Sequence, residues 1–244
     1  MRGYHTRRDG GDLKGRLRLE EGMQGSWHSA AGLRYLQIDP SVEAANLPMI
    51  ICLHGRGADA SDLAGLASQL HPGGYRWILP QAPLPIPIGP GQMGWAWYSL
   101  DGDRSQSIVD AREITSRFVA EVFETLPGSA GATALMGFSQ GAAMALHLSL
   151  AAAESFGAVV AMSGYLPAPE TVHRPLDGPS QNILIVHGTE DQTLAIDLAR
   201  TTRDQLREMG LSPQYEEFAM GHQITPESLA RVSDFLAETL PPHH

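Results

Sequence analysis

Three observations in the sequence predict an α/β fold with a mostly parallel central sheet and helices on both faces. From Leu33 onward, apolar β-rich runs alternate with segments of helical spacing, and Gly or Pro marks many of the joins. Most of the apolar runs are continuous instead of alternating, which suits strands buried on both faces. The chain has 244 residues, 43% hydrophobic and 18% charged, enough apolar surface for one sizeable core; a disordered or fibrous protein is excluded.

Residues 1–25 are polar and Gly-rich without periodicity, so they read as a flexible extension preceding a single domain over 26–244. Strands are predicted at 33–38, 49–53, 76–79, 133–136, 158–162, 183–186 and 214–218. A helix over 105–126 carries Ile108, Ala111, Ile114, Phe118, Val122 and Phe123 on one stripe, with Asp110, Arg112, Glu113, Arg117 and Glu121 mostly away from it. Residues 140–153, rich in Ala, Leu and Met, form a second helix. The last helix opens with Thr225 as its cap and Pro226 at its first position, carries Leu229, Val232, Phe235 and Leu236, and stops at Pro241-Pro242. Residues 80–94 hold five of the 17 prolines, too many for any regular element, and are expected to be a long loop running into Trp95, Trp97 and Tyr98.

Charge and cysteine usage narrow the function. Seventeen basic and 27 acidic residues leave a net charge of −10, which repels a phosphate backbone, so no nucleic-acid partner is expected. The single Cys52 has no internal disulfide partner and lies in an apolar run, as a buried thiol in a reducing compartment would. The N-terminal residues lack the pattern of a secretory signal, and no apolar stretch approaches the roughly 18 residues of a membrane span. A cytoplasmic protein is the expectation. Its oligomeric state is open, a homodimer included.

Gly137-Phe-Ser139-Gln-Gly141 matches G-x-S-x-G, a weak signal alone. Here a buried strand leads in and a strong helix former leads out, the context of a nucleophile elbow. A serine hydroxyl attacks only when a base takes its proton, so Ser139 requires a His and an acid later in the chain. Asp191 and His222 each follow a predicted strand and supply them. Glu190 competes for the acid role, and His187 and His54 for the base, but a histidine immediately before Gly more often supports a turn. His147, inside the second helix, reads as packing. Acyl transfer also needs amides aimed at the developing oxyanion. Gln140, after the nucleophile, offers one, and Arg56, within Leu53-His-Gly55-Arg-Gly57, offers the other. Gly89-Pro-Gly91-Gln-Met-Gly94 is a literal G-x-G-x-x-G, but it lacks the strand before it and the helix after it that a dinucleotide site needs. With no G-x-x-x-x-G-K, C-x-x-C or H-E-x-x-H either, no metal and no cofactor are expected.

Together, Leu53-His-Gly-Arg-Gly57, Trp97-Tyr98, Gly137-Phe-Ser-Gln-Gly141, Ser163-Gly-Tyr165, His187-Gly-Thr-Glu-Asp191 and Gly221-His222 resemble the carboxylesterase/phospholipase family of α/β-hydrolases, which includes acyl-protein thioesterases and small bacterial carboxylesterases. The resemblance implies an α/β-hydrolase fold without a separate cap domain. It implies Ser139, Asp191 and His222 as a triad, with the amides of Arg56 and Gln140 as oxyanion hole. It further implies that Trp95, Trp97 and Tyr98 border the acyl groove and that the partner is a small-molecule ester or thioester. A charged Arg56, where the thioesterase branch is often apolar, points toward the bacterial esterases. The expected activity is serine carboxylesterase; a catalytically silent relative binding an acyl ligand or partner protein, a lysophospholipase or acyl-protein thioesterase specialisation, and a peptidase are the other readings. The three aromatics could equally form a satellite core.

Overall fold

The sheet changes from antiparallel to parallel along its width, and that change sets where loops can converge. The computed structural model describes residues 17–18, 23–40, 47–153, 155–172 and 180–243. It begins with β1 (Leu17–Arg18), β2 (Met23–Ala30) and β3 (Leu33–Pro40), paired antiparallel, followed by β4 (Met49–Leu53) and β5 (Arg76–Pro80). A separate hairpin of β6 (Leu84–Gly89) and β7 (Gln92–Ala96) precedes α1 (Arg104–Thr125). Then come β8 (Thr133–Phe138), α2 (Gln140–Ala151), β9 (Ala158–Met162), β10 (Ile183–Gly188), α3 (Ile196–Glu208), β11 (Gln214–Phe218) and α4 (Pro226–Thr239). The nine-stranded sheet has the order β1-β2-β3-β5-β4-β8-β9-β10-β11, and from β5 to β11 every neighbouring pair is parallel.

Period-two alternation sorts the apolar runs onto two faces. Met49, Ile51 and Leu53 join Leu135, Val159 and Ile185 beneath α1, α2 and α3. Ile50 and Cys52 join Trp77, Met136, Val160 and Val186 beneath α4 and residues 63–70. Both faces are covered, which is why these strands tolerate no polar alternation. On α1, Ile108, Ala111, Phe118 and Val122 are buried as expected, along with Thr115 and Val119. Asp103 caps it by accepting the Gln106 amide at 3.0 Å. Among the described residues no helix is long and apolar enough to cross a membrane.

Two expectations are corrected. The sheet begins inside the segment read as an extension: Leu17–Arg18 pairs with β2, and β2 starts at Met23; the rest of residues 1–25 lies outside the described residues. β2 escaped detection because Met23-Gln-Gly-Ser-Trp-His-Ser-Ala30 carries few apolar side chains. Its pairing is set by a tight two-residue turn, with Ala31 at φ 45° and Gly32 at φ 81°. The turn is tied to α1, since the Ala31 amide donates to Glu121 Oε2 at 2.7 Å.

The second correction concerns the proline-rich loop, part of which forms the β6–β7 hairpin. Pro85 and Pro87 are exposed, one residue apart, on a two-stranded ribbon whose outer edges require no ladder donor. The rejected G-x-G-x-x-G is this hairpin's turn and return strand, with Gly91 at φ 68°.

At α4 the Thr225 hydroxyl accepts the Ser228 amide at 3.3 Å, and Ser228 Oγ in return accepts the Thr225 amide at 3.0 Å. Thr225→Ala should therefore lower unfolding free energy by about 1 kcal/mol, seen as a lower urea midpoint with an unchanged slope.

Candidate active site

The parallel register brings the carboxyl ends of β4, β8, β9, β10 and β11 to one edge, where loops leave together. At the end of β8 the chain turns straight into α2 through Ser139, held at φ 55° and ψ −119°. A non-glycine residue there costs on the order of 1–3 kcal/mol and persists only where its surroundings enforce it. Here the Ser139 amide donates to Met162 O at 2.9 Å and its carbonyl accepts the Ala143 amide at 3.0 Å. A Cβ on Gly137 would overlap the Gly141 carbonyl carbon, and one on Gly141 would overlap the Leu53 carbonyl oxygen. The spacing of the motif is thus a packing requirement of crossing backbones.

His222 follows β11 and Asp191 follows β10. The two loops are joined by Thr189 N to Phe218 O at 2.8 Å and Glu190 N to Met220 O at 3.1 Å. His222 Nδ1 lies 2.6 Å from Asp191 Oδ2, and its Nε2 lies 2.9 Å from Ser139 Oγ. A carboxylate only accepts, so Nδ1 carries the imidazole proton and Nε2 is free to accept the serine hydroxyl. The Phe138 ring, its centroid 4.9 Å from that of His222, supports the imidazole.

Asp191 is buried, and its Oδ1 accepts the amides of Thr193 and Leu194, each at 2.8 Å. Burial alone would raise its pKa. The Leu194 amide, His222 and the Thr193 amide outweigh that and hold it below the ordinary carboxylate value.

The predicted oxyanion residues flank the elbow. Gly55 is close enough that a Cβ on it would lie 3.5 Å from Ser139 Cβ; Arg56 follows, with its side chain exposed. Gln140 begins α2, and its side chain does a second job that sequence reasoning missed. Oε1 accepts the Trp97 amide and Nε2 donates to Tyr98 O, both at 2.8 Å. Trp97 and Tyr98 are each only 1% exposed, so the expectation that they wall an acyl groove is corrected: their side chains fill the core. Trp95 is partly exposed and lines a cavity of about 420 Å³ with Trp27, Arg34, Asp59 and Gln81, to which Ser139 and His222 do not contribute.

The competitors are accounted for. His54 Nδ1 donates to Gly55 O at 2.8 Å and its Nε2 accepts the Ala82 amide at 3.1 Å, while burial pushes its pKa down. His147 donates to Thr171 Oγ1 at 2.9 Å and is pushed down to about 4, chiefly by burial. Glu190 is exposed and outside the hydrogen-bonded trio. His187 Nε2 is 2.8 Å from Leu194 O and 3.5 Å from Asp191 Oδ2. Only its position before Gly188 hinted at a structural part.

An α/β sheet with a Ser, His and Asp bonded in series at its carboxyl edge defines a hydrolase-type architecture, and comparison with known proteins makes the class specific. A family profile described as Phospholipase/Carboxylesterase matches residues 38–240. The chain belongs to this family of α/β-hydrolases and is a carboxylic ester hydrolase. It is 30% identical over 220 residues to acyl-protein thioesterase 1 of Neurospora crassa, covering 81% of this chain and 89% of that one. It is 27% identical over 220 residues to acyl-protein thioesterase 1 homolog 1 of Dictyostelium discoideum, covering 85% and 96%. Among solved structures, esterase PE8 superposes with a TM-score of 0.70 at 26% identity, covering 84% of this chain and 97% of that one.

Two outcomes follow from this geometry. Trp97→Ala removes a fully buried ring and its bond to His54 O, so it should cost about 3–5 kcal/mol of stability, read by urea unfolding. Because the Asp191 pKa is lower folded than unfolded, its contribution is complete above the ordinary value of 3.8 and is lost as pH falls through the folded value. The stability difference between wild type and Asp191→Asn should therefore shrink as pH falls through the folded value of the carboxylate.

Proposed function

We propose that the chain hydrolyses small carboxylic esters or thioesters through an acyl-enzyme, with Ser139 as nucleophile, His222 as general base and Asp191 as the orienting acid. The observation that carries this reading is the unbroken series from Asp191 Oδ2 to His222 Nδ1 at 2.6 Å and from Nε2 to Ser139 Oγ at 2.9 Å. As Ser139 Oγ attacks the carbonyl carbon, His222 Nε2 takes its proton, and the buried Asp191 carboxylate stabilises the imidazolium. The backbone amides of Arg56 and Gln140 receive the negative charge that grows on the carbonyl oxygen. Collapse of this intermediate expels the alcohol or thiol, which takes the proton from His222. Water then repeats the sequence on the acyl-enzyme and regenerates Ser139.

Family membership supports ester hydrolysis, and relatives named as thioesterases and as an esterase support both leaving-group classes. A buried, free Cys52 fits a reducing compartment, and we place the activity in the cytoplasm.

On a short p-nitrophenyl ester, Ser139→Ala should lower kcat on the order of 10⁶-fold without unfolding the protein, and fluorophosphonate labelling should disappear with it. Equal turnover by the folded variant and wild type would sink the assignment.

A further inference from the structure

His187 ends β10 one residue before Gly188 and is fully buried, yet it stands outside the Ser139–His222–Asp191 series. Its Nε2 lies 2.8 Å from the Leu194 carbonyl oxygen. A carbonyl only accepts, so Nε2 bears the proton and His187 is the donor. The same nitrogen faces Asp191 Oδ2 at 3.5 Å, beyond a good hydrogen bond but close enough for the N–H dipole to favour the carboxylate. Nδ1 is buried with no hydrogen-bond partner among the described residues. An apolar residue of similar size would fill this space without an unanswered lone pair, so the imidazole does more than occupy volume.

The turn that His187 grips is the one that holds the acid. Leu194 gives its amide to Asp191 Oδ1 at 2.8 Å while its carbonyl is taken by His187, and Thr193 gives a second amide at 2.8 Å. Leu194 is therefore fixed from both sides of its backbone.

We propose that His187 is a positioning residue for hydrolysis: its Nε2–H clamps the 191–194 turn and thereby holds the Asp191 carboxylate at the angle His222 requires. The inference rests on reading Ser139, His222 and Asp191 as the triad. It assigns His187 no contact with substrate and no proton transfer. The 2.8 Å bond to Leu194 is the principal interaction, and the 3.5 Å approach to Oδ2 is secondary.

The test measures kcat, KM and melting temperature with a short p-nitrophenyl ester for wild type, His187→Leu, His187→Gln, His187→Asn, Asp191→Asn and the His187→Leu/Asp191→Asn double variant. His187→Leu should lower kcat about tenfold or more with KM within about twofold, and His187→Gln, whose amide reaches the Nε2 position, should recover most of it. His187→Asn, which reaches only the Nδ1 position, should not. In the Asp191→Asn background the His187→Leu change should cost less than about twofold, because its route of action is already gone. A folded His187→Leu with wild-type kcat, or the same fold-loss in both backgrounds, overturns the proposal. If His187→Leu does not fold, the Gln and Asn variants decide it, and equal kcat for those two overturns it. Wild-type kcat in Asp191→Asn would instead overturn the triad reading, so the two failures are distinguishable.

Discussion

The backbone of Ser139, turned to φ 55° between a strand and a helix, is the constraint around which the carboxyl edge is organised. Left to itself a serine would relax into an allowed region and carry its hydroxyl away from the edge. It cannot relax, because β8 lies between β4 and β9 in the middle of the sheet and every residue of α2 from Gln140 to Leu150 is buried. The turn is as tight as the two glycines permit, with Gly141 drawn against the end of β4. Stability gained across the buried core is thus spent locally on holding one hydroxyl proud of the sheet.

A second constraint is electrostatic. Asp191 must remain ionised although its side chain is buried, and burial opposes the charge. Three donors answer it, two amides on Oδ1 and His222 Nδ1 on Oδ2. The amides come from residues two and three positions on, so a single short turn solvates its own carboxylate. That solution depends on the path of residues 191–194 and little on their side chains.

How much of this was legible follows from which interactions are local in sequence. The elbow was readable because an apolar strand, a glycine-flanked serine and an Ala-rich helix are adjacent along the chain. The end of α4 was readable because caps and prolines act within a few residues. The positions of Asp191 and His222 were inferable because both lie just beyond strands whose carboxyl ends must meet in a parallel sheet. What sequence did not reveal depends on distant partners. β2 is a strand because β3 lies beside it and α1 holds its turn, not because of its own composition. The prolines of β6 were misread because ribbon edges tolerate missing donors that a sheet interior would not. Trp97 and Tyr98 looked like a substrate wall because a motif gives proximity to a site without giving the direction of a side chain.

That direction is set by Gln140, and it has a mechanical consequence. The Gln140 side chain bonds both the amide of Trp97 and the carbonyl of Tyr98, while the Trp97 indole N–H bonds the His54 carbonyl at 2.8 Å. His54 in turn donates to Gly55 O, and the Gly57 amide is fixed to Trp95 O at 2.8 Å. A continuous path of hydrogen bonds therefore runs from the first residue of α2, through the buried aromatic segment, to both sides of Arg56. In the proposed reaction the amides of Gln140 and Arg56 act on the same oxygen, so their separation matters more than either absolute position. Residues 97 and 98 lie on the hydrogen-bonded path that joins Gln140 to the Arg56 segment. Because both side chains are buried in the core, that path is held by packing as well as by hydrogen bonds.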